Sequence, residues 1–115
     1  MTVKEYLNEN KLWKASIDMD KFWELGKDTP IYITGIDGPQ GKSALKHLLI
    51  GEGYTNVLEM DDVRWMEAEE KKERFGFLKD SDLKATLAKT ERLIISNYKK
   101  TGVVFDFGNK LLETH

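Results

Sequence analysis

Cysteine is absent from this chain, which excludes disulfide bonds and thiolate metal sites. The two histidines, His47 and His115, lie far apart without the spacing of a metal site, so no structural metal is expected. No apolar run approaches the roughly 20 residues that a membrane-spanning helix requires. The first residues, Met-Thr-Val-Lys-Glu, contain no apolar signal core. These absences predict a cytoplasmic protein with no membrane partner.

A strong net charge is also lacking. The formal charge is −2, so the overall electrostatics do not indicate a nucleic-acid-binding protein. The composition, with 40% hydrophobic and 33% charged residues, is ordinary for a globular protein, and 115 residues fit one hydrophobic core. We expect residues 1–29 to form an N-terminal helical segment that packs on a domain of residues 30–115.

The N-terminal segment carries helical and aromatic signals. Apolar spacing over residues 3–13 predicts one or two short helices, and Asp18 or Asp20 can cap another helix. Four aromatic side chains could stack nucleobases, although such residues more often lie in a core: Trp13, Phe22, Trp23 and Trp65. Phe22 and Trp23 are assigned to covering the sheet.

Three short apolar runs, rich in β-branched and aromatic residues, are typical of buried strands: 31–34, 56–60 and 103–107. Helical patterns between them cover 42–50, 63–73 and 82–100, the last with Ser81 as its cap. Strands that alternate with helices predict an α/β fold with a parallel sheet and right-handed crossovers. Ligands bind beyond the carboxyl ends of such strands, and polar residues follow all three predicted strands.

The most informative segment joins the first predicted strand to the next helix. It is rich in glycine, including Gly35 and Gly38, and it ends in Gly41-Lys42-Ser43. Backbone amides and a helix N-terminus suit a phosphate, a lysine can neutralise it, and a hydroxyl can hold Mg²⁺. Five residues separate Gly35 from Gly41, one more than in the usual phosphate loop. The alternative interpretation is a glycine-rich turn without a ligand.

Acidic residues follow the other two predicted strands. Asp61 and Asp62 end the second, where a carboxylate can act as general base, and Arg64 can bind a substrate phosphate through two hydrogen bonds. One of the two aspartates could instead cap the following helix. Asp106 is a charged residue in an apolar run, which is costly unless it is paired or lies at a site. It could hold a Mg²⁺-bound water or orient Arg64, or it could end a partly exposed strand.

Three sequence motifs together resemble the P-loop kinase superfamily: the loop ending in Gly41-Lys42-Ser43, Asp61-Asp62-Val-Arg64, and Val103-Val-Phe-Asp106-Phe-Gly-Asn109. They are most similar to polynucleotide 5′-kinase-like and nucleotide kinase-like domains, and Gly35-Ile-Asp-Gly38 resembles the thymidylate kinase loop. The resemblance covers about residues 30–110. It implies a small three-layer P-loop-like domain with a short parallel sheet of about three strands and N-terminal helices.

The resemblance also implies roles for individual residues. The loop residues would bind ATP or GTP: Gly35, Gly38, Gly41, Lys42 and Ser43. Ser43 and Asp106 would lie at the Mg²⁺ ion that accompanies the nucleotide. Asp61 would be the general base, Arg64 would hold the acceptor phosphate, and Lys42 would contact the transferred group.

Two departures from the family pattern affect this interpretation. The loop has one extra residue, and the sequence stops after the third predicted strand, where kinases of this type continue with an arginine-bearing lid. We therefore expect a truncated domain with a sheet edge beside strand 31–34. The N-terminal helices, a second copy of the chain or another protein could cover that edge.

The first functional hypothesis is a nucleoside triphosphate-binding protein that transfers phosphate to a nucleoside, a nucleotide or a polynucleotide 5′-hydroxyl. Its alternative is a catalytically degenerate P-loop module that acts as a protein-interaction or inhibitor protein. The missing lid favours the alternative, whereas Asp61, Arg64 and Asp106 favour an active site. A fragment of a helicase ATPase is a weaker third hypothesis, since it would need an arginine finger from a neighbouring subunit.

Overall fold

The structure, a computed structural model, describes residues 1–10, 12–35 and 41–108. Its strands are short: β1 (Lys14–Ala15), β2 (Ile31–Thr34), β3 (Val57–Glu59) and β4 (Val103–Asp106). The helices are α1 (Val3–Glu9), α2 (Met19–Phe22), α3 (Lys42–Gly51), α4 (Met60–Arg64), α5 (Ala68–Arg74), α6 (Asp80–Leu83) and α7 (Leu87–Thr101).

The four strands form one mixed sheet in the order β1-β4-β2-β3. Strand β2 is parallel to both of its neighbours, so the predicted α/β class and the three parallel strands are confirmed. The expectation of a purely parallel sheet was wrong, because β1 pairs antiparallel with β4. Ser16, just after β1, accepts a hydrogen bond from the Val104 N–H through Oγ at 2.8 Å. A strand of two residues has too little alternation to be recognised in a sequence.

The predicted unpaired edge beside β2 was also wrong. Strand β2 is central, with β4 on one side and β3 on the other. The N-terminal segment protects the far side of β4, although it does so with strand β1 rather than with a helix. Strand β3 is the outer strand on the opposite side of the sheet.

Alternate residues of the central strands build two hydrophobic clusters. Ile31, Ile33 and Phe105 pack with apolar side chains of α1, α2 and α3, including Phe22. Tyr32 belongs to the other cluster, which it shares with side chains of β3, β4, α4 and α7 and with Phe75 and Leu78, which follow α5. Both faces of a sheet strand are therefore buried, as the continuous apolar run of β2 predicts.

Several predicted helices have different limits in the structure. The helix expected over residues 63–73 is two helices, α4 and α5, and the one expected over 82–100 is α6 followed by α7. Thr86 caps α7, since its side chain accepts a hydrogen bond from the Lys89 N–H. Ser81, the predicted cap, lies inside α6. Hydrophobic periodicity continues across these breaks, so capping contacts decided the limits.

The N-terminal segment is helical only in part. Helix α1 ends at Glu9, so the expectation of helix over residues 3–13 was too long. Asp18 caps α2 through its side chain, as predicted, and Phe22 at the end of α2 is fully buried. Across the residues that the structure describes, no helix combines the length and the apolar character needed to cross a bilayer.

Candidate functional site

The three parallel strands end at one side of the sheet, where α3 begins. Gly35 follows β2, and Gly41 is the N-cap of α3 with a φ of +94°. Glycine adopts this left-handed conformation without strain. A Cβ atom at Gly41 would lie 2.0 Å from the Tyr6 hydroxyl, which donates a hydrogen bond to the Gly41 carbonyl oxygen at 3.0 Å. Glycine is therefore required here by both conformation and close packing.

Lys42 lies at this edge as a nearly buried cation. Lys42 is 5% exposed, and its Nζ donates a hydrogen bond to the Gly35 carbonyl oxygen at 3.4 Å. A buried ammonium group is costly unless acceptors or opposite charges surround it. Burial raises the pKa of both Glu59 and Glu91, and the positive charge of Lys42 opposes that rise in each, so carboxyl groups from β3 and α7 both lie within its electrostatic reach.

Glu91 is buried on the face of α7 that packs on the sheet. One oxygen, Oε2, accepts hydrogen bonds from the Tyr32 hydroxyl at 2.7 Å and the Thr34 hydroxyl at 3.0 Å. Burial raises the pKa of Glu91, the two hydrogen bonds and the charge of Lys42 lower it, and Asp106 raises it further. This network ties the end of β2 to α7, directly beside the start of the glycine loop.

Asp106 is almost completely buried and lies opposite Thr34 in the register of β2 and β4. Its Oδ1 accepts a hydrogen bond from the Gly108 N–H at 2.7 Å, which stabilises the turn after β4. The interpretation as a partly exposed strand end was therefore wrong. Asp106 raises the pKa of Glu91, on which Lys42 also acts, so Asp106 belongs to the same charged cluster as Lys42.

At the end of β3, the acidic residues have separate roles. Asp62 is the third residue of α4, and its Oδ2 accepts a hydrogen bond at 3.0 Å from the N–H of Glu59, the N-cap residue. Its other oxygen accepts from Lys46 Nζ, also at 3.0 Å. The alternative interpretation, that one of the two aspartates is the cap of a helix beginning near Val63, was therefore wrong in position, because α4 begins at Met60. Glu59 is buried, and none of the residues that the structure describes donates a hydrogen bond to its Oε2. Burial raises the pKa of Glu59, Lys46 and Lys42 lower it, and Asp62 and Asp61 raise it.

Asp61 and Arg64 lie one helical turn apart in α4. The Arg64 Nη1 atom is 4.0 Å from Asp61 Oδ1, and the two side chains are 33% and 48% exposed. This pair faces solvent more than the buried acids do, so water screens its attraction. A partly exposed arginine near the strand ends can meet an anion that arrives from solution.

The remaining predicted site residues are Ser43, which is exposed in the first turn of α3, and Gly38, which lies outside the described residues. In the ranges that the structure describes, no three His, Asp or Glu side chains group to hold a metal ion. Magnesium bound with a nucleotide takes many of its ligands from phosphate and water oxygens. Ser43 at the start of α3 and Asp106 at the end of β4 carry oxygen atoms of the kind that such an ion binds.

The candidate base-stacking residues differ in their burial. Phe22 stacks on Tyr54 with ring centroids 5.6 Å apart, and Trp13 lies 6.0 Å from Phe105, so these aromatic rings belong to the core. The assignment of Phe22 to covering the sheet is thus confirmed. Trp65 is different, because it follows Arg64 and is 80% exposed.

Sequence reasoning missed Glu91 and Glu59 as members of the cluster. Glu91 interrupts the apolar stripe of α7 that includes Leu87, Ile94 and Tyr98, and Glu59 interrupts an apolar strand. A charged residue within an apolar pattern is the sequence signal that marks both as candidates, although the pattern does not show that they are buried.

Searches of protein-family models, of curated proteins and of solved structures found no match to this chain. The functional argument therefore rests on the geometry of the strand ends and on the chemistry of their side chains.

Proposed function

We propose that this chain is a P-loop-like domain that binds a nucleoside triphosphate with Mg²⁺ at the start of α3. The observation that carries the proposal is the buried Lys42, which follows a left-handed Gly41 and lies within reach of acidic groups at the strand ends. A helix of ten residues whose N-cap, Gly41, makes no side-chain capping hydrogen bond, next to a lysine, suits a polyphosphate.

The acidic groups around Lys42 support a metal-bound ligand rather than a bare anion. Glu59, Glu91 and Asp106 would repel a polyphosphate unless a cation accompanied it. Mg²⁺, when bound, would neutralise phosphate charge, while Lys42 would bind the phosphates and Ser43 would face the ion from the helix start.

We further propose phosphoryl transfer to a hydroxyl of a nucleoside, a nucleotide or a polynucleotide 5′ end. Arg64 supports an acceptor that carries phosphate, because its guanidinium is partly exposed at the end of α4. Trp65, the next residue, exposes an indole ring on which an acceptor base can stack.

The binding proposal predicts that MgATP or MgGTP raises the thermal stability of the chain. With free nucleotide 100-fold above its Kd, the added stability is about 2.7 kcal/mol. Lys42→Ala should abolish this shift, whereas Lys84→Ala, a matched change at an exposed lysine, should retain it. Thermal unfolding with and without nucleotide measures the effect. An unchanged melting temperature for the unaltered chain at millimolar nucleotide would refute the proposal.

A second candidate function is a protein-interaction module built on a degenerate P-loop fold. One observation favours it: β3 is an outer strand, and a short edge strand can pair with a second copy of the chain or with another protein. Absence of any nucleotide shift, together with a concentration-dependent increase in molecular mass, would favour this function.

A further inference from the structure

We propose that Glu59 is the base that accepts the proton of the attacking hydroxyl, an inference that rests on the proposed phosphoryl transfer. Its Oε2 is a buried carboxylate oxygen at the carboxyl end of β3, the strand next to β2, and residues 1–10, 12–35 and 41–108 offer it no hydrogen bond. Buried acceptors in folded proteins are nearly always paired, so this one requires an explanation. An entering hydroxyl would supply the missing donor.

The neighbouring groups leave this oxygen available. Lys46 donates to Asp62, and Lys42 donates to the Gly35 carbonyl oxygen. The backbone N–H of Glu59 is satisfied by Asp62, which fixes the residue at the junction of β3 and α4. Glu59 is therefore rigidly held, with both lysines of α3 within electrostatic reach.

Asp61, the residue that the family resemblance suggests as base, is less suited to this role. Its carboxylate is half-exposed and faces Arg64 across one turn of α4. Glu59 is buried instead, and burial raises its pKa above the ordinary value, which makes it a stronger proton acceptor.

The proposed step balances as an in-line displacement. The acceptor hydroxyl oxygen forms a bond to the γ-phosphorus of the nucleoside triphosphate while its proton passes to Glu59 Oε2. The bond between that phosphorus and the β,γ-bridging oxygen breaks, and the electron pair leaves with the nucleoside diphosphate. Lys42 is positioned to neutralise charge on the transferred group.

The test compares Glu59→Gln with Asp61→Asn, two matched changes of a carboxylate to an amide. Transfer of labelled γ-phosphate is measured in single turnovers to a 5′-hydroxyl oligonucleotide, to a nucleoside and to water. We expect Glu59→Gln to lose roughly 100-fold to 10,000-fold in rate, the usual contribution of a general base. Asp61→Asn should lose less than about tenfold in rate, because Asp61 is not the proposed base. Both variants should keep the thermal shift with MgATP, which shows that they fold and bind.

A pH profile separates proton transfer from a structural role. The rate of the unaltered chain should fall as acid protonates Glu59, and the rate of Glu59→Gln should not show that fall. The charged groups around Glu59 are Lys42 and Lys46 of α3 and Asp61 and Asp62 of α4, and they are unchanged in this variant.

Each remaining outcome contradicts a specific claim. A Glu59→Gln rate within threefold of the unaltered chain would overturn the role of Glu59, as would a large loss confined to Asp61→Asn. Nucleotide binding without transfer to any acceptor or to water would overturn the role of Glu59 and leave the binding proposal intact. Absence of the MgATP shift would instead refute the proposed function itself.

Discussion

Glu91 is a carboxyl group held against the central strand by two hydroxyl groups. Tyr32 and Thr34 both donate to its Oε2, while Lys42 and Asp106 act on it through their charges. Burial dominates, so its pKa lies above the ordinary value of 4.5. A raised pKa means that the folded chain holds this proton more tightly than the unfolded chain does. Ionisation of Glu91 therefore lowers the free energy of unfolding.

The sign of this effect predicts a pH-dependent response to Glu91→Gln. As pH rises from about 4.5 through the higher folded pKa, the unaltered chain should lose stability that the variant keeps. The amide oxygen of glutamine can still accept from Tyr32 and Thr34, so the variant should fold. Urea unfolding at several pH values between 4 and 8 measures the difference. A difference that does not change with pH would contradict this assignment.

Glu91 and Glu59 also show what the sequence predicts at this scale. The positions of Lys42, Asp61 and Asp106 at strand ends followed from the order of motifs along the chain. The burial of the two glutamates did not, because it depends on elements that are distant in sequence. Tyr32 and Glu91, for example, are 59 residues apart.

Helix limits are the main difference at the scale of elements. The apolar spacing of residues 82–100 is helical throughout, yet the chain breaks into α6 and α7. Thr86 decides the break, because its extended backbone and its side-chain oxygen complete the first turn of α7. A periodic pattern identifies which face of a helix is buried, and a cap sets where that helix starts.

Thr86→Ala should destabilise the chain by about 1 kcal/mol, the usual effect of losing an N-cap side chain. Ser81→Ala is the matched control, since Ser81 is exposed inside α6 and its replacement should change stability by less than about 0.5 kcal/mol. Denaturant unfolding of both variants gives the comparison. Equal losses, or a larger loss for Ser81→Ala, would indicate that α7 begins at Ser81 after all.

At the scale of the whole molecule, the N-terminal segment is part of the core. Phe22 from this segment packs on Tyr54, on Phe105 of the central sheet region and on Trp23. Strand β1 adds to the same sheet at β4. The described chain therefore has a core to which both expected segments contribute, and its parts should unfold together.

Phe22→Ala should lower the free energy of unfolding by roughly 3–5 kcal/mol while leaving a single transition. Trp65→Ala removes a larger ring that is mostly exposed, so its effect should stay within about 0.5 kcal/mol. Fluorescence and circular dichroism during denaturation check both points. Two separate transitions in the Phe22 variant would show that the N-terminal segment folds independently.

The sequence by itself determined the α/β class, the three parallel strands and the placement of a glycine loop before α3. Local patterns predict these features: apolar runs, helical spacing and glycine, each of which extends over a few residues. Such signals can be recognised without knowing what each element packs against.

Only the tertiary structure decided that β1 closes the side of β4, that β2 is central, and which acids are buried. Each of these depends on partners far apart in the chain, such as Ser16 and Val104, which are 88 residues apart. The free energies of strand pairing and of burial arise from such contacts. A segment of two residues such as Lys14–Ala15 has no local pattern from which its pairing could be predicted.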